Sequence, residues 1–143
     1  MKNFQFDLQR ILAFRHTRLT EEERKLKLVQ MELKAVDQQL EELLRVRDRS
    51  AIALTSAAEL RGEDLRMLAG FKARLKRSEL ALRQKRSLCV QKLRRQQEAY
   101  LASRRDHRLL EELRKRRFAE WQQAANRELD ELASDLFLAR WER

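Results

Sequence analysis

The side chains in this sequence that could do chemistry are two histidines, one cysteine, a run of three glutamates and several clusters of arginine and lysine. His16 and His107 lie far apart in the chain, with no His-x-x-x-His spacing and no paired cysteines near either, so neither fits a zinc-ligand pattern. Both read as solvated surface residues. Cys89 is the only cysteine, which rules out an intramolecular disulfide, suits a reducing compartment and reads as a small apolar residue inside a helix seam. Glu21, Glu22 and Glu23 are helix-surface charges, since carboxylates doing acid–base work need a cleft that shifts their pKa values. Phosphate-cradling loops of the GxxxxGK[ST] or GxGxxG kind are absent, and two isolated glycines, Gly62 and Gly70, could not build one. The expectation is a non-enzyme without cofactor or metal.

The basic clusters are the remaining chemistry. RLKR (74–77), RQKR (83–86), LRRQ (93–96), RRDHR (104–108) and RKRR (114–117) could neutralise phosphates along a groove. The net charge of +10 and pI of about 10.4 permit an acidic protein, a nucleic acid or an anionic membrane as partner. Against nucleic acid, Tyr100 is the single aromatic between residues 72 and 117, so base stacking has little to work with. A basic coiled-coil nucleic-acid binder is therefore the reading kept from another class. A basic membrane-surface helix is disfavoured because the apolar seam is narrow and needs a helical partner.

What must position these groups is a coiled coil. The chain has no Pro, two Gly and 39% charged residues, so the punctuation that strands and tight loops need is nearly missing. Leu26, Val29, Leu33, Val36, Leu40 and Leu43 follow at alternating steps of three and four. The frame extends back through Glu22, Leu19, Arg15, Leu12 and Leu8 and forward through Arg47 and Ser50 to Leu54. A stripe with a 3.5-residue period cannot bury itself, so the helix needs a second one alongside.

The predicted fold is all-α: a long two-helix antiparallel coiled-coil hairpin forming a single domain over 1–143. Helix 1 is expected over about 4–57, beginning near Asn3 or Phe4 with Asp7 in its first turn, and spanning roughly 80 Å at helical rise. The turn is placed at about 55–64, where Gly62 would take the left-handed conformation that ends a helix and Glu63 and Asp64 would start the next; an N-cap at Ser56, which keeps Gly62 inside a helix at a cost of about 1 kcal/mol, is the alternative. Helix 2 is expected over about 64–140, with a seam of Leu68, Phe71, Leu75, Ser78 and Leu82. That seam turns ragged through Cys89, Leu93 and Tyr100, and apolar density returns from Leu109, Leu110 and Leu113. Acidic residues among 21–42 would lie beside basic residues among 72–95, which selects the antiparallel orientation more than it stabilises it. With a turn near 59, position 8 would face about 110, and helix 2 would overrun helix 1 by about 30 residues. The overrun carries Phe118, Trp121, Leu129, Leu132, Leu136, Phe137 and Trp141. These residues are either a binding surface or pack on the Phe4–Phe14 segment or in a dimer.

No apolar run approaches the ~20 residues that span a bilayer. Lys2, Asp7 and Arg10 interrupt any leader-peptide core in the first residues, so a cytoplasmic protein is expected.

Three stretches together resemble a known family. FQFDLQRILAFRHTRLTEEERKL (4–26) is similar to the opening of FliJ, the coiled-coil component of the flagellar type III export apparatus. LLEELRKRRFAEWQQAANRELDELASDLFLAR (109–140) resembles that family's leucine–arginine run followed by an acidic segment, here Asp130, Glu131 and Ala133. LRMLAGFKARL (65–75) stands where the family has an aromatic and leucine step after its turn. The resemblance implies a stalk like that of rotary ATPases, seated in a hexameric export ATPase whose assembly and activity it promotes. It further implies contact with the membrane-embedded export gate, cycling of export chaperones, a monomeric free state, and a location at the inner face of the cell membrane at the flagellar base. Stalks of the YscO type in virulence secretion systems are the alternative within this class. By the stalk analogy, the ATPase-ring contacts would be Phe4, Phe6, Leu8, Ile11, Leu12, Arg15, Arg127, Asp130, Glu131 and Leu132. Phe71 and Leu75 would meet the export gate. For the leucines, packing in the intrachain seam is the competing role.

Overall fold

The computed structural model describes residues 3–57 and 59–141; Lys2, used above in the leader argument, lies outside them. Two helices account for nearly all of it: α1, Gln9–Ser56, and α2, Gly62–Trp141, paired antiparallel, with no strand among the described residues. Contacts gather the chain into two compact units, Glu22–Tyr100 and Met1–Glu21 with Leu101–Arg143.

In the Glu22–Tyr100 unit the heptad frame is the buried face of α1. Val29 and Val36 are buried, Val36 to 2% exposure, while Leu26, Leu33, Leu40, Leu43, Ser50 and Leu54 are half-buried. Each fully buried aliphatic of this kind stabilises the pairing by about 1.5–3 kcal/mol. Arg47 is the exposed member of the frame, and its guanidinium reaches Glu79 at 3.9 Å. Opposite, α2 presents Leu68, Phe71, Leu75, Leu82, Cys89, Leu93 and Tyr100. Ser78 is not in the seam: it is exposed, and Glu79 takes the place. The longer Glu79 stem can lie along the apolar stripe while its carboxylate meets Arg83 at 2.7 Å and Arg47. Farther along, Gln96 fills a polar layer and donates to both the carboxylate and the backbone carbonyl of Glu22.

Charge falls as the sequence predicts. Asp37 pairs with Arg86 at 2.6 Å and Glu32 with Lys92 at 2.9 Å, acid on α1 and base on α2. The Lys92 ammonium, by hydrogen bond and by charge, holds the Glu32 carboxyl below the usual carboxylate range, and Glu32 in turn raises Lys92.

The turn forms without a left-handed glycine. No described residue has positive φ, and Gly62 is the first residue of α2 rather than the stop of α1. α1 ends on its own hydroxyls: Thr55 and Ser56 both donate to the Ile52 carbonyl. α2 opens on Arg61, whose carbonyl accepts the Leu65 N–H at 3.1 Å and whose N–H donates to the Asp64 carboxylate at 3.1 Å. That is the reciprocal half of a capping box, and with Glu63 and Asp64 it sets negative charge in the first turn.

In the other unit, α1 starts at Gln9, later than the expected Asn3 or Phe4. The Gln9 N–H donates to the Phe6 carbonyl and the Leu12 N–H to the Leu8 carbonyl, so a turn at Asp7 and Leu8 precedes the helix. Asp7 thus stands ahead of the first helical turn, which holds no acid. Residues 3–6 are left irregular, and this frees Phe4 to pack on α2. Leu12 is buried, with Leu8 and Leu19 half-buried, and on α2 Ser103 is buried with Ala102, Leu110 and Leu113 half-buried. Leu109, where apolar density returns in the sequence, is exposed. Leu8 shares a groove with Leu113, beyond the expected position near 110. Ala125 is the last buried residue of α2, and every described residue after it is exposed.

Candidate functional site

The candidate ring-contact residues all lie in the unit made of Met1–Glu21 and Leu101–Arg143, but they form two groups. The first is aromatic. Phe4 meets Phe118 edge-on, with ring centroids 5.2 Å apart, and Trp121 at 5.9 Å, while Phe118 and Trp121 stack at 5.7 Å. Edge-to-face and offset packing of this kind stabilises by about 0.5–1.5 kcal/mol per pair beyond area burial. Phe6 and Leu8 line the adjoining groove with Leu113, Arg117 and Glu120. Two of the aromatics expected in the overrun, Phe118 and Trp121, therefore belong to an intrachain cluster.

The second group is the helical tail. Arg127, Asp130, Glu131 and Leu132 are exposed, and no described side chain forms an ion pair with the three charged ones. Leu129, Leu132 and Leu136 continue the stripe beyond Trp121 and Ala125, each more than half exposed, and Phe137 rests against Trp141, itself 80% exposed. Around this apolar stripe stand Glu128, Asp130, Glu131 and Asp135, a local acidic stretch in a basic chain.

Between the two groups, α1 contributes less than expected. Leu12 is buried in the seam and unavailable to a partner without opening the helices. Arg15 is half-buried and bonded to Asp106 at 2.9 Å, so it holds register. Ile11 is 46% exposed and remains accessible.

The fold also brings together His16 and His107, which the sequence reading left apart on the surface. Their rings lie 5.3 Å apart across the two helices, and His107 Nδ1 is 3.8 Å from the Glu111 carboxylate. The signal was available: His16 follows the seam residue Arg15, and His107 falls on the three–four step between Ser103 and Leu110. What was missing was the register that sets residue 15 against 106. Among the described residues no group of three or more His, Cys, Asp and Glu is placed to hold a metal ion.

In the Glu22–Tyr100 unit, Phe71 and Leu75 are half-buried in the seam. Leu75 also floors an open groove with Leu43, Leu44 and Ala51, rimmed by Arg47, Lys72 and Lys76. Each therefore offers an edge, rather than a whole side chain, to a partner.

No described helix is long and apolar enough to cross a membrane. Neither the curated proteins nor the solved structures yield a match to this chain. The family model of the flagellar FliJ protein matches residues 4–142, which takes in the Phe4 cluster, both faces of the seam and the exposed tail. The chain belongs to the FliJ family, a structural component of the flagellar export apparatus and not a family of enzymes.

Proposed function

We propose that this chain is the stalk of the flagellar export machine: it enters the hexameric export ATPase, promotes assembly and activity of that ring, and links it to the membrane-embedded export gate. The observation that carries the reading is the tail. From Arg127 to Trp141 α2 continues its apolar stripe with no partner helix among the described residues, so Leu129, Leu132, Leu136 and Phe137 present a surface that costs free energy unless something covers it. The ring-side contacts we propose are Arg127, Asp130, Glu131 and Leu132 on that tail, with Phe4, Phe6, Leu8 and Ile11 at its base. Leu12 and Arg15 act indirectly, by holding the helices in register. Phe71 and Leu75 are the proposed gate contacts, near the turn.

The mechanism is mechanical and electrostatic. A stalk without six-fold symmetry touches six subunits unequally and so biases their nucleotide-dependent conformations differently. Cycling of export chaperones and a peripheral position at the cytoplasmic face of the membrane belong to the same reading, as does a monomeric free state. The test is a titration of the purified export ATPase. Stimulation that saturates at a stoichiometry near one stalk per hexamer is expected, and unchanged ATPase activity would end the proposal. Arg127→Glu should shift the concentration needed for half-maximal stimulation; an unaltered curve removes Arg127 from the contact set.

A further inference from the structure

We propose that the turn end of the Glu22–Tyr100 unit is a docking surface for an anionic lipid bilayer. Four large apolar side chains cluster in sequence around the turn and are left in solvent: Ile52 at 65% exposure, Leu60 at 42%, Leu65 at 50% and Met67 at 75%. None belongs to the seam, whose nearest members are Leu54 and Leu68. Arg49, Arg61, Arg66, Lys72 and Arg74 stand among and behind them, all exposed, and no described side chain forms an ion pair with any of the five. The carboxylates at this end are Glu59, Glu63 and Asp64, and Asp64 is occupied by the Arg61 N–H.

Depth decides what such an arrangement can contact. At helical rise, Ile52 and Leu65 lie within about 6 Å of the helix ends at Ser56 and Gly62, and Arg49 and Lys72 lie about 10–15 Å back. Interfacial segments bury their apolar groups about 5–10 Å into the headgroup–acyl boundary. With the turn seated to that depth, Ile52, Leu60 and Leu65 reach the acyl boundary. Arg49, Lys72 and Arg74 stay among the headgroups with their charges on phosphates, and Arg61 and Arg66, nearer the tip, reach back to that layer with their stems along apolar surface. Neither signal alone holds a protein to a bilayer, but apolar insertion and a basic collar together do. The exposed apolar tail after Ala125 does not share this fit, because Glu128, Asp130, Glu131 and Asp135 surround it and an anionic surface would repel them.

The experiment is co-sedimentation of the full chain with vesicles of phosphatidylcholine alone or with one-third phosphatidylglycerol, at low and moderate salt. Binding to the anionic vesicles only, weakening as salt rises, is expected. Leu60→Ser with Leu65→Ser and Met67→Ser, or Arg61→Gln with Arg66→Gln, should each lower the bound fraction at least tenfold with helix content unchanged. Leu65→Trp should gain a blue-shifted emission quenched by brominated lipid. Failure to bind anionic vesicles overturns the proposal. So does binding that survives the apolar variant, which would be adsorption of a polycation, or tighter binding of the same residues to duplex DNA. Any of these leaves ATPase stimulation to be judged on its own titration.

Discussion

At the scale of single residues, burial separates side chains that look alike in the sequence. Val36, the most buried, and Leu28, at 56% exposure, are both aliphatics of α1 eight residues apart. Val36→Ala should destabilise by about 2 kcal/mol, its transfer free energy plus a small cavity. Leu28→Ala should stay within about 0.5 kcal/mol, because little of it leaves water on folding. Urea unfolding followed by circular dichroism reads both, and equal losses would show that the seam has been drawn on the wrong face. The pair Glu32–Lys92 makes a prediction in pH. Glu32 titrates below its ordinary range in the folded chain, so its contribution is present at neutral pH and is lost as pH falls through that depressed pKa. Lys92 is raised, so its contribution persists from neutral pH upward and is lost only as pH climbs through the raised pKa. Both groups are exposed and the effect is small. At low salt, Glu32→Gln should flatten the acid limb of the melting temperature against pH, whereas an unchanged limb would mean that the pair does not hold in solution.

At the scale of elements, periodicity was legible and local backbone chemistry was not. The frame from Leu8 to Leu54 named the buried face of α1 because a 3.5-residue period admits one stripe, and only Arg47 departs from it. Glu79 and Gln96 escaped notice because a seam is read from apolar letters, while a long polar side chain can line the same stripe with its stem. The capping at the turn was hidden for a related reason. Glycine after an apolar run suggests a left-handed stop, yet Gly62 can equally begin a helix when the residue before it supplies the cap. The two roles make opposite predictions. In this structure a Cβ on Gly62 would meet nothing within 4 Å, and φ is negative. Gly62→Ala should therefore stabilise by about 0.4–1 kcal/mol, through a less flexible unfolded chain and better helix propensity. Destabilisation by the same change would place the glycine in the left-handed region after all. Asp64→Ala should cost about 0.5–1 kcal/mol, since it strands the Arg61 N–H and removes charge from the first turn.

At the scale of the whole molecule, net charge misleads about what each end can touch. A chain of +10 suggests steering by acidic rims on the ATPase ring. The exposed tail that the proposed reading seats in that ring is acidic, with Glu128, Asp130, Glu131 and Asp135 between Arg127 and Arg140, while the basic excess lies in the clusters from Arg74 to Arg117. Rim charges act within about a Debye length, close to 10 Å at 0.1 M salt, so the sign felt on close approach is that of the tail. The stalk reading then requires a basic surface around the apolar contact in the ring. Asp130→Lys with Glu131→Lys should raise the concentration for half-maximal ATPase stimulation by on the order of tenfold at low salt, most of it in the association rate, and salt should erase the difference. A ring with acidic rims would give the opposite sign, with the double reversal binding tighter than the parent. Leu132→Ala with Leu136→Ala should instead weaken stimulation equally at every salt concentration, because the apolar contact is not screened. The pair of variants thus separates the charge that guides the tail from the surface that holds it.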